Sequence, residues 1–409
     1  MSRIVMKFGG TSVAGIPEIE NAAKKVAAEV ARGNQVAVVV SAMAGVTNQL
    51  VEYCRSINPE HDAREYDAVV SSGENVTAGL MALALQKIGI PARSWQGWQI
   101  PLVTDEVHGK ARIGFIEAQE LEHALMSGDV GVIAGFQGKT ARNRISTLGR
   151  GGSDTSAVAV AAALKADRCD IYTDVNGVYT TDPRIVPEAR KLDKISYEEM
   201  LEMASLGAKV LMSRSVEMAM KMKVPVQVLS TFEDAIGSDH PGTLVTKEDE
   251  ILEQKAVNGV AFSRNEAKVT ILDVPDIPGI AAKVFGPLAD ANINIDMIVQ
   301  NIASNGKNTD MTFTVPKPEL AKVLDVLGKI SDLKNAGIVT DDKVSKVSVV
   351  GIGMQSHAGV AQTMFKALAE KGINIQVIST SEIKISVLID EAYTELAIRA
   401  LHTAYNLDK

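Results

Sequence analysis

Two short stretches carry most of the chemistry that can be read from this chain: KFGGTS at 7–12 and TLGRGGSDTS at 147–156. In the first, Lys7 closes an apolar run, RIVMKF, and an ammonium in apolar surroundings needs an anion. Gly9 and Gly10 follow at once, so backbone can approach a ligand closely and turn its amides outward. In the second, Gly149, Gly151 and Gly152 form a loop ahead of an alanine-rich helix, with Ser153 as the expected N-cap. N–H groups at a helix start attract phosphate or carboxylate. Arg150 can grip a carboxylate with two parallel hydrogen bonds. Asp154 beside an anion site is unfavourable unless a cation faces it, either Lys7 or the ammonium of a ligand. A ligand carrying both charges, as an amino acid does, satisfies the whole set. The plainer alternative is a glycine turn with an edge lysine and a local Arg–Asp pair.

Weaker candidates lie nearby. Glu74 in SSGEN and Thr47 in GVTNQ both stand at expected helix starts, where dipole and capping preferences already explain them. TDVNGVYTTDPR (173–184) follows a strand and has the turn signals of a loop at a strand's carboxyl end, where open α/β sheets bind ligands. The absences narrow the field: no GxxxxGK[ST], no GxGxxG, and no HExxH or paired spacing among the six histidines, so no metal site is expected.

The elements that must position these residues alternate. Strands are expected at 3–8, 35–41, 130–136, 169–173 and 225–229, and helices from Pro17 and at 73–88, 153–165 and 196–222. This order predicts an α/β domain at 1–246 built on an open, mostly parallel sheet between helix layers, with 247–262 as linker. Beyond it the chain repeats itself. GIAAKVFGPLADANINID (279–296) aligns without a gap on GVAQTMFKALAEKGINIQ (359–376). Strands and a second helix flank each copy, giving two ferredoxin-like βαββαβ units at 263–340 and 341–409.

Composition sets the class. The 409 residues are 46% hydrophobic, enough for two to three cores, and the net charge of −8 without a basic cluster argues against nucleic acid. Cys54 and Cys169 are far apart and suggest no disulfide framework, which favours a reducing cytoplasm. The opening MSRIVMKFGG has no signal-segment pattern, and no run is expected to cross a bilayer, so no membrane partner is predicted.

KFGGTS, SAM (41–43), SSGE (71–74), TLGRGGSDT (147–155), YTDV (172–175), GVYTTDPR (177–184) and GAKVL (207–211) occur in this order ahead of the tandem repeat. In this the chain resembles the aspartokinase family over essentially its whole length, in its shorter form without a fused homoserine dehydrogenase. The resemblance implies an amino-acid-kinase fold followed by two ACT domains. It implies transfer of the γ-phosphoryl of ATP, with Mg2+, to the β-carboxylate of L-aspartate, giving 4-phospho-L-aspartate at the start of lysine, threonine and methionine synthesis. A carboxylate nucleophile is already ionised at neutral pH, so no general base is required, in keeping with the lack of a candidate histidine.

By the same resemblance Lys7 and Asp154 are catalytic, and Ser41, Thr47, Glu74, Arg150, Gly151 and Ser153 bind aspartate. Lys7, Gly9, Gly10, Thr173, Asp174, Tyr179, Arg184 and Lys209 surround the nucleotide. Asp276, Gly279, Ala281, Gln300, Asn374, Ile375, Ser381 and Glu382 become contacts for lysine and/or threonine as feedback effectors. Assembly through the ACT repeats is implied, in some members with a shorter ACT-containing subunit. No Met lies between Met222 and Met297, which excludes a Met-initiated product beginning in the linker. Asn176 stands where the family has Asp, Met212 where it has Gln, and Ala358 where it has Pro. Two alternatives remain at this point. One is another amino-acid kinase of the same fold. The other is an ACT-based sensor with an inactive kinase domain, against which Lys7, Arg150 and Asp154 argue.

Overall fold

The computed structural model describes residues 2–409 except 208–209, 251–254, 303–307, 335 and 356. The chain divides into two compact units. The first comprises Met1–Val178, Lys191–Ser205 and Lys209–Glu253; the second comprises Tyr179–Arg190, Leu206–Ala208 and Gln254–Lys409.

The first unit is built on an eight-stranded sheet. Its order is Lys194–Ser196, Thr243–Thr246, Val226–Ser230, Arg168–Thr173, Arg3–Phe8, Gln35–Val40, Val130–Ala134 and Ala92–Trp95. Every pairing is parallel except that between Val226–Ser230 and Thr243–Thr246. The central strands are buried runs of β-branched and apolar residues, as a sheet covered on both faces requires. Alternation sorts their side chains: Ile4, Met6 and Phe8 join the core formed with helices Ile16–Ala31 and Ser72–Lys87, which leaves Lys7 on the opposite face. That face carries helix Gly152–Ala163, buried on every side from Gly152 to Ala161. Its run of Ala, Val, Ser and Thr lets it lie close to the sheet.

Several strands were not legible as such. A second, four-stranded sheet runs Ile113–Ile116, Leu102–Thr104, Gln137–Thr140, Ile145–Thr147, in strands of three or four residues. The helix expected over 196–222 is two helices, Tyr197–Ser205 and Ser213–Met222, with Met212 extended between them. One run, 63–87, is long and apolar enough by length and composition alone to cross a membrane. It comprises helices Ala63–Val70 and Ser72–Lys87, and half of its most apolar window is buried within the structure.

In the second unit the two repeats share one six-stranded sheet, Asp296–Ile302, Asn308–Val315, Gly259–Pro275, Gly337–Val350, Lys384–Asp390 and Val377–Thr380. Two long antiparallel strands form its middle. The later part of Gly259–Pro275 begins the first repeat, while its earlier part, 259–263, pairs with Lys346–Val350 of the second. Conversely, residues 337–341 pair beside the first repeat before the same strand continues into the second. The first repeat thus keeps 337–341 as its own last strand, whereas the second is completed by 259–263, from ahead of the first. Residues 259–262, read above as linker, are therefore strand. Val257 and Val260 belong to the core of the second repeat with Val347, Leu368 and Val387. The first repeat closes its own core around Val269, Val284, Phe313 and Val323.

Candidate active site

Parallel strands end on one edge, and the candidate residues of the first unit gather there. Lys7 is the penultimate residue of Arg3–Phe8, in register with Val39 and Ile171. Its ammonium lies 2.5 Å from Asp154 Oδ1, and both residues are 8% exposed. Asp154 therefore pairs with Lys7, not with the neighbouring Arg150. Arg150 is exposed and makes no ion pair among the described residues, which removes the plainer reading of a local Arg–Asp turn.

The loop before the helix owes its shape to glycine. Gly149 and Gly151 have φ of 78° and 70°, in the left-handed region. The N-cap is Gly151, not Ser153 as expected, because only a left-handed residue turns the chain into the helix here. Ser153 falls in the first turn instead. A Cβ on Gly151 would also collide with the Met212 side chain, so the Met212 departure is packed directly against this loop.

A cavity of about 310 Å³ opens between these elements. It is lined by Lys7, Gly10, Ser41, Thr47, Glu74, Arg150, Gly151, Ser153 and Asp154, all anticipated from sequence. Its size suits a small polar ligand. Glu74 is in the first turn of Ser72–Lys87, 3% exposed. Its Oε1 accepts the Ala42 N–H at 3.1 Å, while Oε2 is buried without a hydrogen-bond partner among the described residues. Burial pushes the carboxyl up to about 7, with the Ala42 N–H opposing. Thr47 is in the first turn of a helix capped by Gly45, not a cap itself.

Lining residues that sequence reasoning passed over include Ala44, Gly45 and Phe136. Phe136 has φ of 67°, a left-handed conformation unusual for an aromatic residue, and no local pattern announces it. Its N–H donates to Ser156 Oγ at 3.0 Å and its carbonyl accepts the Leu148 N–H at 2.9 Å, so it joins the glycine loop to the sheet.

The proposed nucleotide residues are divided. Gly9 and Gly10 follow Lys7; the Gly9 N–H donates to the Tyr172 carbonyl at 3.2 Å, and a Cβ on Gly10 would come within 3.1 Å of the Ala42 carbonyl. Thr173 ends its strand, and its hydroxyl donates to Asp174 at 3.2 Å. Asn176 donates to Glu233 at 2.9 Å. Tyr179 and Arg184, however, lie in the segment that folds with the second unit, where Arg184 pairs with Asp182 at 2.7 Å. Lys209 lies outside the described residues. No group of three or more His, Cys, Asp or Glu suited to a metal ion occurs among the described residues.

In the second unit, Gly279 (φ 89°) caps helix Ile280–Asp290, with Asp276 and Ala281 exposed beside it, and Gln300 is exposed on strand Asp296–Ile302. The second repeat has a cavity of about 460 Å³ lined by His357, Gly359, Thr380, Ser381 and Glu382 among others. Ala358 is exposed at its turn; Asn374 and Ile375 are not among its lining residues.

A glycine loop, a buried Lys–Asp pair and a glutamate with one unpartnered oxygen thus meet at the carboxyl edge of a mostly parallel sheet. The amino acid kinase family matches residues 2–230, and ACT domain families match 268–332 and 347–405. An aspartate kinase from Pseudomonas putida is 54% identical over 410 residues, covering 100% of this chain and 98% of the relative. An aspartokinase from Corynebacterium glutamicum is 46% identical, covering 100% and 97%. The structure of E. coli aspartokinase III in complex with aspartate and ADP superposes with a TM-score of 0.81 at 26% identity, covering 98% of this chain and 99% of that one. The chain belongs to the aspartokinase family, and it phosphorylates the side-chain carboxylate of L-aspartate at the expense of ATP.

Proposed function

We propose that aspartate lies in the 310 Å³ cavity with its α-carboxylate on Arg150 and its ammonium on Glu74, the β-carboxylate turned towards Lys7. The observation that carries this reading is the pairing pattern. Arg150 has no carboxylate partner among the described residues and Glu74 Oε2 has no donor, so the site offers one cation and one anion to a ligand bearing both. Thr47, Ser41 and Ser153 supply hydrogen bonds around it. Asp154 holds the Lys7 ammonium, a preorganised positive charge at the point where charge develops on the transferring phosphoryl. The nucleotide phosphates come to Gly9, Gly10 and the first-turn amides of helix Gly152–Ala163, and Thr173 and Asp174 border the nucleoside. Because the described residues gather no carboxylate cage, Mg2+ would be held chiefly by the nucleotide, neutralising phosphate charge.

The ACT unit is read as the receiver of feedback. E. coli aspartokinase III has been solved with lysine and aspartate, and superposes at a TM-score of 0.76 and 27% identity. For this chain lysine, threonine or both are the proposed effectors, at Gln300 in the first repeat and at the Ser381–Glu382 cavity in the second. Oligomerisation through the repeats and a cytoplasmic location, to which the free thiols Cys54 and Cys169 are suited, complete the reading. ATP-dependent formation of aspartyl hydroxamate tests it, with lysine and threonine added singly and together at millimolar levels. Arg150→Lys, which keeps the charge but loses the paired geometry, raises KM for aspartate and leaves that for ATP. The opposite selectivity would reverse the two pockets, and no effector response would remove the regulatory reading.

A further inference from the structure

One buried carboxylate holds the root of the glycine loop and has no part in the chemistry above. Asp67, on helix Ala63–Val70, is 0% exposed. Its Oδ1 accepts the Thr147 hydroxyl at 2.6 Å and its Oδ2 the Thr147 N–H at 3.0 Å. The same oxygens accept the Gly109 N–H, at 3.1 Å from each, and Oδ2 accepts His108 Nδ1–H at 2.8 Å.

Burying a carboxylate is costly, and here the donors that compensate come from two separate segments. Any apolar residue could seat the helix on the sheet. What the carboxylate adds is a fixed register between residues 108–109 and Thr147. Thr147 ends its strand three residues before Arg150. From another side the Arg214 guanidinium donates to the carbonyls of Leu148 at 2.7 Å and Ala111 at 2.6 Å. The base of the loop is therefore clamped, while its tip is glycine-rich and exposes Arg150.

We propose that Asp67 is a positioning residue for aspartate binding: through Thr147 it sets the root of loop 147–152 so that Arg150 meets the substrate α-carboxylate. This rests on the role given to Arg150 above. Steady-state kinetics of the full-length enzyme test it. Thr147→Val removes one charge-assisted hydrogen bond with little change of shape. It should raise KM for aspartate about five- to tenfold, with kcat and KM for ATP within about twofold. Thr147→Ser, which retains the hydroxyl, should restore the wild-type value, and Asp67→Asn should give a larger rise than Thr147→Val. If Asp67→Asn does not fold, the Val and Ser pair at 147 decides the matter. Arg150→Ala runs in parallel. A rise in aspartate KM in Arg150→Ala but not in Thr147→Val overturns the role of Asp67 alone. No rise in Arg150→Ala overturns the assignment of Arg150, and the role of Asp67 with it. Equal effects on both substrates in Thr147→Val show a merely structural contact.

Discussion

Replacing Glu74 by Gln should make the ligand-free enzyme more stable and a worse aspartate binder. Burial raises the Glu74 carboxyl from 4.5 to about 7. By linkage this is a differential of on the order of 3 kcal/mol between its protonated and ionised forms. The native state holds the proton where the unfolded chain has released it. Its contribution to stability is therefore fully present below about 4.5 and lost as pH rises through about 7. Above that point the ionised group is a liability that Gln avoids. At pH 8 Glu74→Gln should gain on the order of 2–3 kcal/mol, a rise in melting temperature of several degrees, whereas at pH 5 the two proteins should melt nearly together. Aspartate reverses the balance, because its ammonium needs the ionised carboxylate at Oε2. KM for aspartate in the wild type should climb as pH falls below about 7, approaching tenfold per unit. In Glu74→Gln it should be raised about 10- to 100-fold at pH 8, and that part of its pH dependence should vanish. Calorimetry of the free proteins at both pH values, with KM profiles from pH 6 to 8, checks this. Equal melting temperatures at pH 8, or an unchanged slope of KM in the variant, would refute the reasoning.

Lys7→Ala should fold normally and lose about 10²–10³ in kcat, since one preorganised charge at the phosphoryl is removed; near-wild-type turnover takes Lys7 out of the site. Lys346 is buried between Glu266 at 3.0 Å and Asp296 at 2.7 Å. Lys346→Ala strands the Glu266 charge and should cost about 3–5 kcal/mol in denaturant unfolding, and a loss below 1 kcal/mol would mean that water already serves these carboxylates. Ser381→Phe, filling the 460 Å³ cavity of the second repeat, should relieve inhibition by an end-product amino acid while uninhibited turnover changes little. Unaltered inhibition in that variant would move the effector elsewhere.

Much of the catalytic unit was legible because its signals are local. Long β-branched runs announce the central strands, and the charged residues between glycines announce the edge where ligands come. Positions that depend on distant partners were not legible. The N-cap moved from Ser153 to Gly151 because backbone conformation at 151, fixed partly by packing against Met212, outranks side-chain capping preference. The strands at 102–147 are too short for an alternation pattern to rise above the noise of turns. Phe136 adopts its left-handed conformation through bonds to Ser156 and Leu148, which no window around 136 contains. Asp67 has no local signature, because its partners at 108–109 and 147 are far away in the chain.

The regulatory unit makes the same point on a larger scale. The repeat was plain in sequence, but not that the second copy completes its sheet with residues from ahead of the first. In the fold residues 259–263, ahead of the first copy, pair with Lys346–Val350 of the second, while 337–341 stay with the first. The first core closes within its own copy, the second takes in Val257 and Val260 from ahead of the first, and the Lys346 ion cluster spans the copies, with Glu266 and Asp296 from the first. A third segment is woven in. Val186 enters the core of the second repeat, the Thr180 carbonyl accepts the Val260 N–H at 2.7 Å, and the Thr180 hydroxyl bonds His402 at 2.9 Å. This segment leaves the catalytic sheet immediately after Thr173 and Asp174, with residues 174–178 the chain between strand end and anchor. Residues 174–178 are thus one covalent connection between the proposed effector unit and the strand that ends at Thr173.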